Sequence, residues 1–174
     1  MKSIAIAIFS VSLLFFSATS FAQAEVEITW QDPEKFRDVR PTNESRTKFR
    51  ERTFKQLNEY IVELAEDLQE GQKLVMNVTN LDLAGEVLPA SFAGLGHSSS
   101  DVRVIKTVHI PRISFDYQLL SSDGEVLQEK EVKLKDMSFL NRQNRFFSNE
   151  ALRYEKNMLA GWFKDEFPKL SANN

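Results

Sequence analysis

The sequence contains no cysteine. This absence excludes disulfide bonds, a thiol nucleophile and a lipid-modified cysteine at the start of a mature chain. We therefore expect the stability of the fold to come from its hydrophobic core rather than from covalent cross-links.

The chain also has only one strongly apolar stretch, and that stretch is too short to cross a membrane. A membrane-spanning helix needs about 20 consecutive apolar residues, whereas this stretch runs from Ile4 to Phe16. Lys2 precedes it and the small residues Ala22 and Ala24 follow it, which is typical of a secretory signal peptide. We predict that residues 1–24 are a cleavable signal peptide, cut after Ala22 or Ala24, and that the mature protein is periplasmic and is not a lipoprotein.

The remaining residues, 25–174, have the length of a single domain that can bury a core. We expect residues 171–174 to form a disordered tail. Without the predicted signal peptide the chain carries 21 basic and 25 acidic residues, a net charge of −4 with histidine neutral. This acidic balance does not favour nucleic-acid binding.

Alternation of apolar and polar residues predicts five strand segments. Pro111 interrupts the third of them, because proline cannot donate a hydrogen bond to a neighbouring strand. Ser122-Asp123-Gly124 is a strong turn signal that joins the last two segments into a hairpin. The segments are 25–30, 73–81, 102–110, 113–119 and 126–134.

Two further stretches have helical spacing. In the first, a long helix in the N-terminal half, apolar residues recur every three or four positions from Phe54 to Leu68, with Asn43 as the expected cap and Gly71 as the stop. The second is expected between Ser148, as its cap, and Pro168. This order of elements predicts an α+β fold in two layers, with both helices packed on one face of a mostly antiparallel sheet of about four to five strands.

The charges of the long helix are reversed with respect to its dipole. Basic residues predominate in its first half, whereas residues 56–70 carry five acids and no base, and the dipole favours the opposite arrangement. One interpretation is a solvated face with pairs such as Glu51 and Lys55. The other is an anion or phosphate site at the helix N-terminus, with Arg46 and Arg50 as ligand-binding residues.

The strand at 73–81 has apolar residues on both faces, with Leu81 expected on the face opposite Val78, and is therefore predicted to be central in the sheet. Asp82 follows it directly. A carboxylate at a strand end can bind a metal or act as a base. Acids in such corners also commonly accept hydrogen bonds from nearby backbone amides, and the sequence leaves both interpretations open.

A long loop is predicted from Gly85 to Asp101, where glycine and serine are frequent. Loops of this length are usually functional or disordered. Phe92 and Leu95 are apolar enough to fold back onto the domain or to contact a partner. His97 in the same loop is a candidate ligand-binding residue.

Motifs of known catalytic and cofactor sites are absent from the sequence. His97 and His109 lack the spacing of a zinc site, and the serines at 98–100 do not form a Gly-x-Ser-x-Gly elbow. No nucleotide-binding or paired-cysteine motif occurs, so no cofactor is predicted. A metal-dependent or acid/base hydrolase would have to use Asp82, Asp136 and a histidine.

Five short motifs follow one another along the chain: Asp32 to Phe36, Asn80 to Gly85, Pro111 to Ile113, Leu134 to Met137, and Tyr154 to Leu159 with Trp162. In this order and spacing they resemble the bacterial family catalogued as domain of unknown function 3016. Asp-Leu-Ala-Gly at 82–85 is the most characteristic of them. The resemblance covers nearly all of the chain after the signal peptide, and it implies a small exported domain of Gram-negative-type bacteria with no known activity and no assigned site residues.

The sequence therefore favours a non-enzymatic binding or envelope-accessory module over an enzyme. An exported globular fold without a recognisable catalytic set is more often a binding part than an enzyme. The expected partner is a protein or a small anionic ligand in the cell envelope, which would contact the 85–101 loop or the arginine-rich start of the long helix. The alternatives are the hydrolase and an anion-binding protein that uses Arg46 and Arg50.

Overall fold

The structure, a computed structural model, describes residues 23–36, 38–96, 100–146 and 148–168. Nearly all of the predicted signal peptide, the predicted tail at 171–174 and His97 lie outside the described residues. The strands are β1 (Glu25–Trp30), β2 (Lys73–Asp82), β3 (Glu86–Pro89), β4 (Asp101–Val104), β5 (Arg112–Leu120) and β6 (Val126–Lys135), and the helices are α1 (Arg46–Ala65) and α2 (Arg153–Glu166).

Four of the strands form one mixed sheet in the order β1-β2-β5-β6. β1 pairs parallel to β2, and the β2–β5 and β5–β6 pairs are antiparallel. The parallel pair is possible because α1 supplies the long connection that two parallel strands require. The α+β class, the central place of β2 and the β5–β6 hairpin are thus confirmed. Among the described residues, no helix is both long and apolar enough to cross a membrane.

The core lies on one side of this sheet. Leu74, Met76 and Val78 of β2 are buried there in one row, and a single cluster joins the inner rows of the sheet to both helices. The strand register shifts between Val78 and Asn80, and such a bulge changes which face the following residues occupy. Leu81 is consequently buried in the same core, so its expected place on the opposite face was wrong.

Helix α1 begins later than the predicted cap. Ser45, not Asn43, is the N-cap, and its side chain accepts a hydrogen bond from the backbone amide of Lys48. The helix ends at Ala65, and Gly71 takes its left-handed conformation in the turns that follow, with φ +77°. The apolar spacing predicted the helix correctly. Asn43 and Ser45 are both residue types that suit the cap position, so the spacing did not decide between them.

Three aromatic side chains pack together where the chain passes from β1 to α1. The rings of Trp30 and Phe54 are stacked with centroids 4.0 Å apart, and Phe36 packs edge-on against both at 6.4 and 6.0 Å. Phe36 is buried, so the three rings anchor this connection between α1 and β1, an edge strand of the main sheet.

The segment predicted as a loop and a third sheet strand folds differently. The 85–101 stretch contains β3 and a 3-10 turn at Ala90–Ala93, and the strand expected at 102–110 is limited to β4, which pairs with β3 outside the main sheet. Alternation of apolar residues predicts a strand but does not identify its partner. Among the described residues, the main sheet therefore has four strands, within the predicted four to five, and β3 and β4 form a separate two-stranded sheet that was not predicted.

Helix α2 also begins later than expected. Turns occupy residues 148–152, and Leu152 has a left-handed backbone with φ 55° and no side-chain cap. A left-handed residue does not continue an α-helix, so Leu152 separates these turns from the helix, and Ser148 is not the cap. The helix ends two residues before Pro168, as proline requires.

Candidate functional site

A cavity of about 390 Å³ lies between α1, the corner after β2, the end of β4 and the start of α2. One wall is a face of α1, where Phe49, Thr53 and Gln56 follow one another at intervals of three and four residues. Helical residues at this spacing share one side. Leu57 and Ile61 of the same helix are buried in the core. Phe49, Thr53 and Gln56 lie beside this apolar stripe and face the cavity.

The opposite side of the cavity is closed by the Asp-Leu-Ala-Gly corner that follows β2. Leu83 and Ala84 line the cavity and are buried. Gly85 has φ +83°, and a Cβ atom at this position would lie 2.5 Å from Ile105 Cδ1 and 2.7 Å from the carbonyl oxygen of Val104. The corner therefore needs glycine both for its backbone conformation and for the close approach of the chain after β4.

Glu155 is the buried acid of the cavity. It is 3% exposed, and its Oε1 accepts a hydrogen bond from the backbone amide of Ala84 at 2.7 Å. Burial raises the pKa of this carboxyl group, and the hydrogen bond from Ala84 and the charge of Arg103 act in the opposite direction. The carboxyl group thus links α2 directly to the corner after β2.

Sequence reasoning missed Glu155, although a signal was present. Glu155 lies three residues after Leu152 and four before Leu159, which places it on the apolar stripe of α2. A charged residue on such a stripe is worth noting, because acids are rarely buried without a partner.

Arg103 of β4 forms hydrogen bonds both to the connection between β1 and α1 and to the corner after β2. Its Nη1 donates to Asp38 Oδ2 at 2.5 Å and to the carbonyl oxygen of Ala84 at 3.2 Å. Its Nη2 donates to the carbonyl oxygens of Asp38 at 2.9 Å and Arg40 at 3.2 Å. Burial raises the pKa of Asp38, against the effect of the guanidinium. Both terminal nitrogens of Arg103 are engaged by the protein, so its role is structural.

Two other arginines line the cavity, and they differ in their partners. Arg52 of α1 forms a two-point salt bridge with Glu44, at 2.7 and 2.5 Å. Arg153 lies over the ring of Tyr154, 4.4 Å from its centroid, and donates to the Tyr154 hydroxyl at 2.5 Å. Of the arginines in the cavity lining, Arg153 alone forms no salt bridge with a carboxylate in the described part of the chain.

Asp82 lies outside this cavity, on a smaller pocket of about 260 Å³. Its Oδ2 accepts a hydrogen bond from Arg112 Nη1 at 2.7 Å, across the β2–β5 pair. His109 lines the same pocket, and its Nε2 lies 3.2 Å from Glu86 Oε2. The structure therefore brings Asp82 and His109 to one pocket, each beside a partner side chain of its own.

Asp136 is not part of that arrangement. It is buried, accepts a hydrogen bond from the backbone amide of Ser138 at 3.0 Å and lies 3.7 Å from Arg142. Within the ranges that the structure describes, no group of three histidine or acidic side chains is placed to hold a metal ion. His97 lies outside those ranges.

Arg46 and Arg50 lie in the first turns of α1, away from the cavity lining. Neither forms a salt bridge with a described residue. The alternative pair of Glu51 with Lys55 does not form either, and Lys55 instead lies 3.8 Å from Glu59. An anion site at Arg46 and Arg50 stays a prediction.

The exposed apolar residues of the 85–101 segment do not fold back onto the core. Phe92 is 79% exposed and Leu95 is 63% exposed. Both follow β3 at the 3-10 turn and the glycine-rich residues after it. Contact with a partner therefore stays a prediction for these two side chains.

Comparison with known proteins gives one match. The sequence model of a family described as protein of unknown function (DUF3016) matches residues 24–165. No curated protein matches the chain, and no solved structure does. The matched range contains every residue of the cavity lining. The resemblance found from the short motifs is thereby confirmed, and the chain belongs to the DUF3016 family.

Proposed function

We propose that the protein is a periplasmic, non-enzymatic binding module that holds a small molecule in the cavity between α1, the Leu83–Ala84 corner and the start of α2. In this proposal α1 and α2 form one layer on one face of the sheet, and the cavity opens at the end where they meet the β3–β4 pair. The observation that carries the proposal is the cavity itself, whose volume of about 390 Å³ falls in the usual range of ligand pockets.

The composition of the lining supports binding. Phe49, Leu83 and Ile105 offer apolar surface, and the polar groups are few and come from different elements. This combination is typical of small-molecule sites, in which apolar walls supply affinity and a few polar groups set the orientation.

Several polar groups of the cavity are held by structural partners, which supports a binding role. Ser148 lines the cavity, but no histidine that could activate it does so among the described residues. Glu155 is held by the amide of Ala84. A general base must be within hydrogen-bond reach of the group that it activates, and the lining contains no such pair.

The hydrolase has less support. It would use the smaller pocket, where Asp82 and His109 lie near each other. Arg112 already neutralises Asp82, and Glu86 already faces His109. The third proposed residue, Asp136, does not line this pocket.

A fragment screen by nuclear magnetic resonance on the mature chain tests the proposed site. Bound fragments are expected to shift the amide signals of Ala84 and Tyr154. The variant Gln56→Trp would fill the cavity and abolish these shifts, whereas Glu59→Trp, on an exposed position of the same helix, would leave them unchanged. Shifts confined to other surfaces, or equal shifts in the Gln56→Trp variant, would remove the cavity as the binding site.

A further inference from the structure

We infer that the ligand of this cavity is an apolar organic molecule with a single anionic group, carboxylate or phosphate, which is bound by Arg153. This inference rests on the proposed function, since it names the chemical class that the same cavity accepts. It is carried by the balance of charges around the lining and by the nature of the walls.

Each charged group of the lining apart from Arg153 is balanced or buried. Arg52 is paired with Glu44 and Arg103 with Asp38. On the side of α2, the lining residue Glu150 lies 2.6 Å from Lys156. These three ion pairs contain six charged groups near the cavity, and the charges within each pair cancel.

Arg153 supplies the charge that remains. Its guanidinium contacts an aromatic ring and a hydroxyl group, neither of which carries a compensating charge. The neighbouring acid Glu155 does not form a salt bridge with it, because the Glu155 carboxyl group is turned toward the amide of Ala84. One uncompensated guanidinium next to a cavity complements one anionic group, with which it can form two parallel hydrogen bonds.

The buried acid does not oppose this arrangement. Burial raises the pKa of Glu155, which favours the neutral form of its carboxyl group. Its Oε1 also faces the amide of Ala84 at 2.7 Å, so this acid already has a hydrogen-bond donor of the protein as its partner. Leu152 lines the cavity at the N-terminus of α2 and provides no side-chain cap for this helix. Helix N-termini favour negative charge, so this end of the cavity favours an anion.

The walls indicate the rest of the ligand. Phe49, Leu83, Ile105 and Leu152 present apolar surface to the cavity, and Tyr154 adds an aromatic ring. A small inorganic ion would leave this surface unused, whereas an apolar body would bury it and gain about 25 cal/mol per Å². The cavity is thus suited to an amphiphilic anion rather than to free phosphate.

Calorimetric titration of the mature chain with probes of equal tail length tests the inference. Octanoate and octyl phosphate carry the anionic group, octanamide is neutral, octylamine is cationic, and inorganic phosphate lacks the apolar body. We expect the two amphiphilic anions to bind most tightly. Arg153→Gln should weaken their binding about 10- to 100-fold, as expected for charge-assisted hydrogen bonds, and Arg153→Lys should retain part of it.

The controls separate this inference from its alternatives. Arg46→Gln, at the start of α1, should leave binding unchanged, and a loss equal to that of Arg153→Gln would overturn the assignment to Arg153. Octanamide binding as tightly as octanoate, or no binding of any probe, would overturn the anionic class. In both cases the fragment screen with Gln56→Trp still decides whether the cavity binds a small molecule, so the two proposals fail separately. Unfolding midpoints of the Arg153 variants show whether they are folded.

Discussion

The Glu155 carboxyl group accepts a hydrogen bond from the backbone amide of Ala84, with 2.7 Å between Oε1 and N, across a sequence separation of 71 residues. This contact joins the first turn of α2 to the corner after the central strand. It also fixes two walls of the cavity with respect to each other. The identity of the residue at 155 should therefore affect stability and the shape of the site together.

The first prediction concerns the loss of this acceptor. Glu155→Ala leaves the buried amide of Ala84 without a partner, which costs about 1 to 3 kcal/mol. Glu155→Gln retains a side-chain oxygen that can accept the bond, so its free energy of unfolding should be higher than that of Glu155→Ala at the same pH. Urea denaturation of both variants measures the difference. Equal losses in the two variants would show that the acceptor oxygen does not matter.

How far the sequence predicts the structure depends on whether the interactions are local. The spacing in α1, the alternation in β5 and β6 and the turn at Gly124 are local, and the corresponding elements were predicted correctly. The pairing of β3 with β4 was missed, because strand partners are set by contacts distant in sequence.

The candidate site was predicted less well than the fold, for the same reason. Glu155, Arg103 and Asp38 meet only after the whole chain has folded, and no short motif encodes their meeting. The Asp-Leu-Ala-Gly sequence adjoins the cavity. The position of Asp82 at a strand end predicted a ligand or base there, whereas the residues that line the cavity are Leu83 and Ala84.

The second prediction is a pH dependence that Glu155 contributes. Its pKa is raised in the folded protein above the ordinary value of 4.5, so the folded state binds its proton more tightly than the unfolded state. This contribution to stability is complete below pH 4.5 and is lost as pH rises through the folded pKa. The free energy of unfolding of the wild type, minus that of Glu155→Gln, should decrease over this interval and then level off. A difference that increases with pH would contradict the direction of the shift. Asp38, whose pKa is also raised, remains in both proteins and largely cancels.

The third prediction concerns the glycine of the corner. Gly85→Ala should destabilise the protein, because φ +83° is strained for alanine and the added Cβ would lie 2.7 Å from the Val104 carbonyl oxygen. The left-handed backbone alone costs about 1 to 2 kcal/mol. Gly94→Ala is the matched control, with φ +75° and nothing within 4 Å of the added atom. Thermal unfolding should show a clearly larger loss at Gly85. Equal losses would mean that the corner tolerates the extra atom.

The fourth prediction concerns export. A tagged full-length chain expressed in a Gram-negative host should be found in the periplasmic fraction, and its intact mass should show Gln23 or Glu25 as the first residue. Leu14→Arg places a charge in the apolar stretch that export requires, so this variant should keep its full mass and remain in the cytoplasmic fraction. A wild-type chain that also keeps its full mass would contradict the predicted signal peptide.

The fifth prediction concerns the pair formed by Arg103 and Asp38. Their side chains are only 20% and 16% exposed, so removal of one partner leaves the other charge in a poorly solvated place. Arg103→Gln should cost about 3 kcal/mol or somewhat less, since complete burial of a broken pair costs about 3 to 5 kcal/mol.

The double variant Arg103→Gln with Asp38→Asn distinguishes the charge pair from the backbone contacts of Arg103. With both charges gone, no uncompensated carboxylate remains at position 38, and part of the lost stability should return. The hydrogen bonds from Arg103 to the carbonyl oxygens of Ala84 and Arg40 are absent from both proteins, so their contribution stays lost. Urea denaturation of the two single variants and the double variant gives the coupling energy. Strictly additive losses would show that Arg103 stabilises the corner through its hydrogen bonds to backbone carbonyl oxygens alone, and that the Asp38 carboxylate is not the reason for its position.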